Sequence, residues 1–106
     1  MVTNKQVLII EDNRANCMIL RELVEDQGFS EITTVHNGLD AISYLANETP
    51  GLIFLDIKMP GIDGWLLCEI ISNVKRWKKV PIILQSGLLG RENIKKGLSL
   101  GAHSYI

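Results

Sequence analysis

Acidic side chains stand at the ends of apolar runs, where a parallel sheet would gather them. Glu11 and Asp12 follow directly on Val7 to Ile10, Asp56 follows Leu52 to Leu55, and the hydroxyl of Ser86 comes shortly after Ile82 to Leu84. If these runs are parallel strands, all three points lie along one edge of the sheet, the edge at which open α/β sheets bind ligands. Three carboxylates there repel one another unless a cation shares the site. Hard oxygen ligands with open positions suit Mg²⁺, which uses few protein carboxylates and keeps its other positions for water or a phosphoryl group. The chemistry expected is therefore metal-assisted handling of a phosphoryl group. Taken singly, each residue has an ordinary use, since acidic side chains favour helix N-termini and open turns. Their joint placement is what points to a site.

The elements that would hold these residues are legible in the hydrophobic pattern. The runs at Val7, Leu52 and Ile82 show no polar alternation, the habit of strands covered on both faces, and Ile32 to Val35 forms a fourth run with threonines inside it. Between them lie helical segments. In the first, Ile19, Leu20, Leu23 and Val24 form an apolar stripe with Arg21, Glu22 and Glu25 opposite, and Gly28 supplies a stop. Asn37-Gly38 reads as a turn pair leading into Ala41, Ile42 and Leu45, and Pro50-Gly51 ends that segment. Trp65 to Val74 and Arg91 to Leu100 read as two further helices, the last weakened by Gly97. The order is βαβαβαβαβ, which predicts a doubly wound parallel α/β sheet with right-handed crossovers.

A chain of 106 residues supports one core, so residues 1–106 are expected to form a single domain. With 46% hydrophobic and 22% charged residues the composition is that of a folded globular chain. A net charge of −1 gives no basic field for nucleic acid or anionic lipid, so neither is an expected partner. Met1 to Gln6 carries no apolar signal core, and no run approaches the ~18 apolar residues of a membrane span. Cys17 and Cys68 are far apart in apolar patterns and read as buried free thiols, which fits a reducing cytoplasm.

The stretch Asp56-Ile57-Lys58-Met59-Pro60-Gly61-Ile62-Asp63-Gly64 makes the pattern specific. It resembles the phosphoacceptor loop of the receiver domains of two-component response regulators. Glu11-Asp12 is similar to that family's acidic pair, Ser86-Gly87 to its hydroxyl residue followed by a small one, and Gly101-Ala102 with Tyr105 to its approach to the fifth strand. The resemblance covers essentially the whole chain. It implies a five-stranded, flavodoxin-like receiver fold and a signalling switch rather than an enzyme, one that assists its own phosphotransfer and dephosphorylation. Asp56 would accept a phosphoryl group from a histidine kinase or histidine phosphotransfer protein. Glu11, Asp12, Asp56 and the backbone carbonyl of Lys58 would hold Mg²⁺, Ser86 would bond the phosphoryl oxygens, and Tyr105 would turn inward as the aromatic switch. An output domain or a second copy of the chain would be a further partner.

One departure stands out. The family carries a Lys beyond the fifth strand and then a final helix, and the sequence stops at Ile106, before both. The expectation is a fold truncated before its last helix. The alternative function is a receiver-like interaction domain that is not phosphorylated. A haloacid-dehalogenase-type phosphatase would need a second Asp where Lys58 stands, and a nucleotide-binding loop would not carry Glu11 and Asp12. Leu67, Cys68 and Ile71 form the predicted core stripe of the third helix, with Leu66 and Ile70 extending it and Trp77 continuing the same edge toward a partner.

Overall fold

Apolar residues on both faces of a strand require cover on both faces, and the chain meets that requirement with helices above and below one sheet. The computed structural model describes residues 5–59, 61–85, 95–96 and 98–105. The elements run β1 (Gln6–Ile10), α1 (Arg14–Asp26), β2 (Glu31–Val35), α2 (Gly38–Asn47), β3 (Leu52–Asp56), α3 (Gly64–Asn73), β4 (Ile82–Gln85) and β5 (Ser104–Tyr105). The sheet order is β2-β1-β3-β4-β5, and every pairing is parallel. This is the predicted doubly wound α/β fold with five strands. Within the predicted fourth helix, residues 95–96 and 98–99 are helical and Leu100 N–H bonds Lys96 O at 3.1 Å. The stretch 91–94 and Gly97 lie outside the described residues.

The two-residue period of the strands divides the core in two. Leu8, Ile10, Ile53, Leu55, Ile82 and Leu84 face α2 and α3, where Ala41, Leu45, Leu67, Cys68 and Ile71 close the layer. On the other face Val7 and Ile9 pack under Cys17, Leu20 and Val24 of α1. Each fully buried Leu or Ile contributes on the order of 2 kcal/mol. Leu52, Phe54 and Ile83, on the α1 face but out over β3 and β4, are partly exposed.

The predicted stripe of α1 needs correction. Leu20 and Val24 are buried together with Cys17, whereas Ile19 and Leu23 are 59% and 58% exposed. At about 100° per residue, Leu23 lies roughly 90° and Ile19 roughly 130° around the helix from the centre of the buried line. One helix seated on one strand buries only the narrow stripe. Gly28 does end α1, with a φ of +95° and its N–H on Glu25 O at 3.0 Å. Asn37-Gly38 is a helix start rather than a turn pair: Asn37 Oδ1 accepts from Asp40 N–H at 2.8 Å, and Gly38 is the first residue of α2.

Trp77 does not continue the apolar edge of α3. The chain turns after Asn73, Trp77 is buried, and its Nε1–H donates to Leu45 O at 3.0 Å. The side chain so closes the C-terminal end of α2, where Arg76 also donates to Ala46 O at 2.8 Å. A ring with one polar atom buries well when a free helix carbonyl accepts from it. Leu66 is 49% exposed and Ile70 half-buried, so the remaining edge of α3 is partly open.

Asp63 begins α3 as its cap, its Oδ1 accepting Leu66 N–H at 2.8 Å. Asp63→Ala is expected to lower stability by about 1 kcal/mol, read as a reduced urea midpoint at unchanged slope.

Candidate functional site

The topology alone selects a place for ligand. From β1 the chain crosses to β2 on one side, while β3 lies on the other, so the sheet changes winding direction between β1 and β3. A crevice opens at the carboxyl ends of the strands at such a point. Glu11 and Asp12 follow β1 there, and Asp56 is the last residue of β3. Strand parity puts Glu11, Asp56 and Gln85 on the α1 face, since each lies an even number of residues beyond Val7, Leu52 and Ile83.

One carboxylate oxygen from each of Glu11, Asp12 and Asp56 falls within 4.8 Å of the others. Glu11 and Asp56 are buried, at 3% and 8% exposure, and Asp12 is exposed. Burial pushes the Glu11 carboxyl from 4.5 up to about 7, and the neighbouring Asp56 carboxylate pushes the same way. Burial raises Asp56 too, and the bond to Glu11 and the Lys58 amide oppose it. A buried carboxylate pair therefore holds a proton near neutrality where a solvated pair would not.

Donors fix the orientation of these groups. Asn13 N–H meets Glu11 Oε2 at 3.1 Å, and the Gln85 Nε2 amide meets Glu11 Oε1 at 3.2 Å. Lys58 N–H bonds Asp56 Oδ1 at 3.2 Å, tying the loop to the carboxylate. His36 sits after β2 and places Nδ1 2.9 Å from Glu11 O, with Nε2 3.5 Å from Arg14. Because a carbonyl only accepts, Nδ1 carries the proton.

The donor set fits a small hard cation. An octahedron with bonds of about 2.1 Å places oxygens roughly 3 to 4 Å apart, which small carboxylate rotations from the observed spread would meet. The site's excess negative charge supplies the reason to bind one.

The structure thus brings together Glu11, Asp12 and Asp56 as the sequence predicted. Ser86 and Gly87 lie outside the described residues, as does Pro60 of the loop. Ser86 directly follows Gln85, which pairs in register with Asp56, and Tyr105 is the register partner of Leu84. Two residues escaped the sequence reading. Gln85 was hidden because an apolar run defined β4, yet a polar residue in the last position of a covered strand was a signal. Gly64 has a role that its place in the motif does not reveal: a Cβ there would stand 2.4 Å from both Asp56 O and Ile57 Cα. Its N–H also bonds Ile57 O at 2.9 Å, so α3 starts in direct backbone contact with the end of β3.

A parallel sheet of order 2-1-3-4-5 with an acidic crevice between β1 and β3 defines a flavodoxin-like α/β domain with a candidate cation site. The family model for the response regulator receiver domain matches residues 7–106, and the chain belongs to that family. It is thus a receiver domain of the two-component type, from a family of signalling domains rather than classical enzymes that binds divalent cations at an acidic pocket and interacts with histidine kinases and output domains. Protein PilG of Pseudomonas aeruginosa is 32% identical over 101 residues, which cover 95% of this chain and 74% of PilG. The polar-differentiation response regulator DivK of Brucella anthropi is 30% identical over 105 residues, 96% of this chain and 82% of DivK. A two-component response regulator from Clostridium difficile has a similar crystal structure, with TM-score 0.85 and 31% identity over 95% of this chain and 80% of that one. Among the described residues no helix is long and apolar enough to cross a membrane.

Proposed function

We propose that Asp56 is the phosphoacceptor and that Glu11, Asp12, Asp56 and the Lys58 carbonyl hold the Mg²⁺ that transfer requires. The observation that supports this most is the burial of Asp56 within 4.8 Å of two further carboxylates. In the transfer an Asp56 oxygen forms a bond to phosphorus as the P–N bond of a partner's phosphohistidine breaks, and the imidazole leaves with the electron pair. When bound by these residues, Mg²⁺ would offset the negative charge of the transferring group. The chain's own part is positional. The Lys58 amide limits rotation of the largely buried Asp56 carboxylate. Ser86 would then bond the phosphoryl oxygens, and Tyr105 would move inward behind it, which biases a two-state surface read by a kinase, an output domain or a second copy.

Intact mass after incubation with acetyl phosphate tests the assignment. One phosphoryl adduct is expected with Mg²⁺, and none in Asp56→Asn or with the metal chelated. An adduct that persists in Asp56→Asn removes Asp56 from the role. A parent chain that takes up no phosphoryl group under any condition is an interaction domain instead.

A further inference from the structure

Glu11, directly after β1, and Gln85, the last residue of β4, are 74 residues apart in sequence and stand at the ends of strands that are not neighbours, because β3 runs between β1 and β4. Two strand spacings separate their backbones, about 10 Å. The bond between Gln85 Nε2 and Glu11 Oε1, at 3.2 Å, thus spans the end of β3, the strand that carries Asp56. Only two long side chains can meet there, each covering about half the gap.

We propose that Gln85 is a positioning residue for the cation site, holding the Glu11 carboxylate from the far side of Asp56. The inference rests on the metal-site reading above and goes beyond it by assigning a residue outside the ligand set. Two N–H groups act on Glu11, one per oxygen: the Asn13 amide on Oε2 and the Gln85 amide on Oε1. Together they set the carboxylate plane and leave the remaining lone pairs of both oxygens for an ion. The Asn13 bond alone is a local contact two residues along the chain and leaves the far oxygen free to swing. The Gln85 bond removes that freedom from a different strand. An amide suits the task because it donates without adding charge. A lysine would compete with the cation, and a carboxylate would add to the repulsion. The amide's NH₂ end faces Glu11, since an ionised carboxylate only accepts. Because Gln85 directly precedes Ser86, the same bond ties the end of β4 to the acidic pair after β1.

The geometry makes the role specific. Gln85→Met keeps length and volume but loses the donor, and Gln85→Asn keeps the amide but is one methylene too short to reach. Both are expected to weaken Mg²⁺ binding about tenfold, the usual cost of losing an outer partner of a ligand. Calorimetric titration of the metal-free chain with MgCl₂ gives the dissociation constants. A second measurement needs no variant. In ¹H–¹⁵N spectra of the parent, the Gln85 side-chain NH₂ pair is expected to be resolved from other glutamines and to shift on addition of Mg²⁺. Parent and variants binding Mg²⁺ with equal affinity would overturn the proposal while leaving the metal site in place. An NH₂ pair that stays unshifted at saturating Mg²⁺ overturns it as well, even if neither variant folds. A parent chain that binds no Mg²⁺ fails the metal-site reading itself and the proposal with it.

Discussion

Gly64→Ala should cost about 3 kcal/mol of stability and slow phosphoryl uptake on Asp56 by tenfold or more, although it adds a single methyl group. The added Cβ would lie 2.4 Å from Asp56 O and 2.4 Å from Ile57 Cα. Both are backbone atoms, so no side chain can rotate away. Either α3 lifts from the end of β3 or β3 gives way, and overpacking of this kind typically costs 1–3 kcal/mol, sometimes more. The kinetic effect follows from position, since a displacement of about 1 Å at a reacting group can cost on the order of a hundredfold. Gly61→Ala is the control. Nothing lies within 4 Å of a Cβ at Gly61, and its φ of +78° carries only the left-handed penalty of roughly 1 kcal/mol. Urea midpoints and adduct formation rates for the two variants separate close approach from loop conformation. Equal losses at both positions would contradict the account.

The second large effect is a pH-dependent stability that Mg²⁺ reverses. Glu11 is raised from 4.5 to about 7 by burial and by Asp56, and Asp56 is raised as well. An acid whose folded pKa exceeds its unfolded value binds its proton more tightly when folded. Without metal, the contribution of this group is therefore greatest at low pH and falls as pH rises from about 4.5 through about 7. At about 1.4 kcal/mol per pKa unit, the loss is on the order of 3 kcal/mol for Glu11. At the proposed metal site Mg²⁺ would bind the ionised carboxylates, so its stabilisation should be near zero at the low end of the window and fully present above it. Thermal midpoints measured across that range, with chelator and with MgCl₂, should converge at low pH and diverge above neutrality. Glu11→Gln should flatten most of the metal-free slope. A slope unchanged by that substitution would move the effect to another group.

The exposed apolar residues Met18, Ile19 and Leu23 show the limit of reading one helix at a time. Ile19 and Leu23 fit an apolar stripe as well as Leu20 and Val24 do, yet α1 buries only the line that meets β1. Which part of a wide stripe is covered depends on the width of the surface beneath it. Trp77 makes the same point in reverse. In sequence it follows the greasy edge of α3, but the turn after Asn73 sends it under α2 to bond Leu45 O.

The sequence by itself determined the order of elements, the parallel sheet and the acidic trio. Continuous β-branched runs need cover on both faces, strict βα alternation leaves few topologies, and residues directly after parallel strands must share an edge. Glu11, Asp12 and Asp56 were legible for that reason. Only the tertiary structure decided the rest. That Gln85 reaches Glu11 over the end of β3 depends on strand order and register, which place residues 74 apart on one face. That Gly64 touches Asp56 depends on the angle at which α3 leaves the loop. The elevated Glu11 carboxyl depends on burial, which no local pattern specifies. Local periodicity encodes the faces of strands and helices, while contacts between distant faces come from packing, and it is packing that orients the carboxylates at this site.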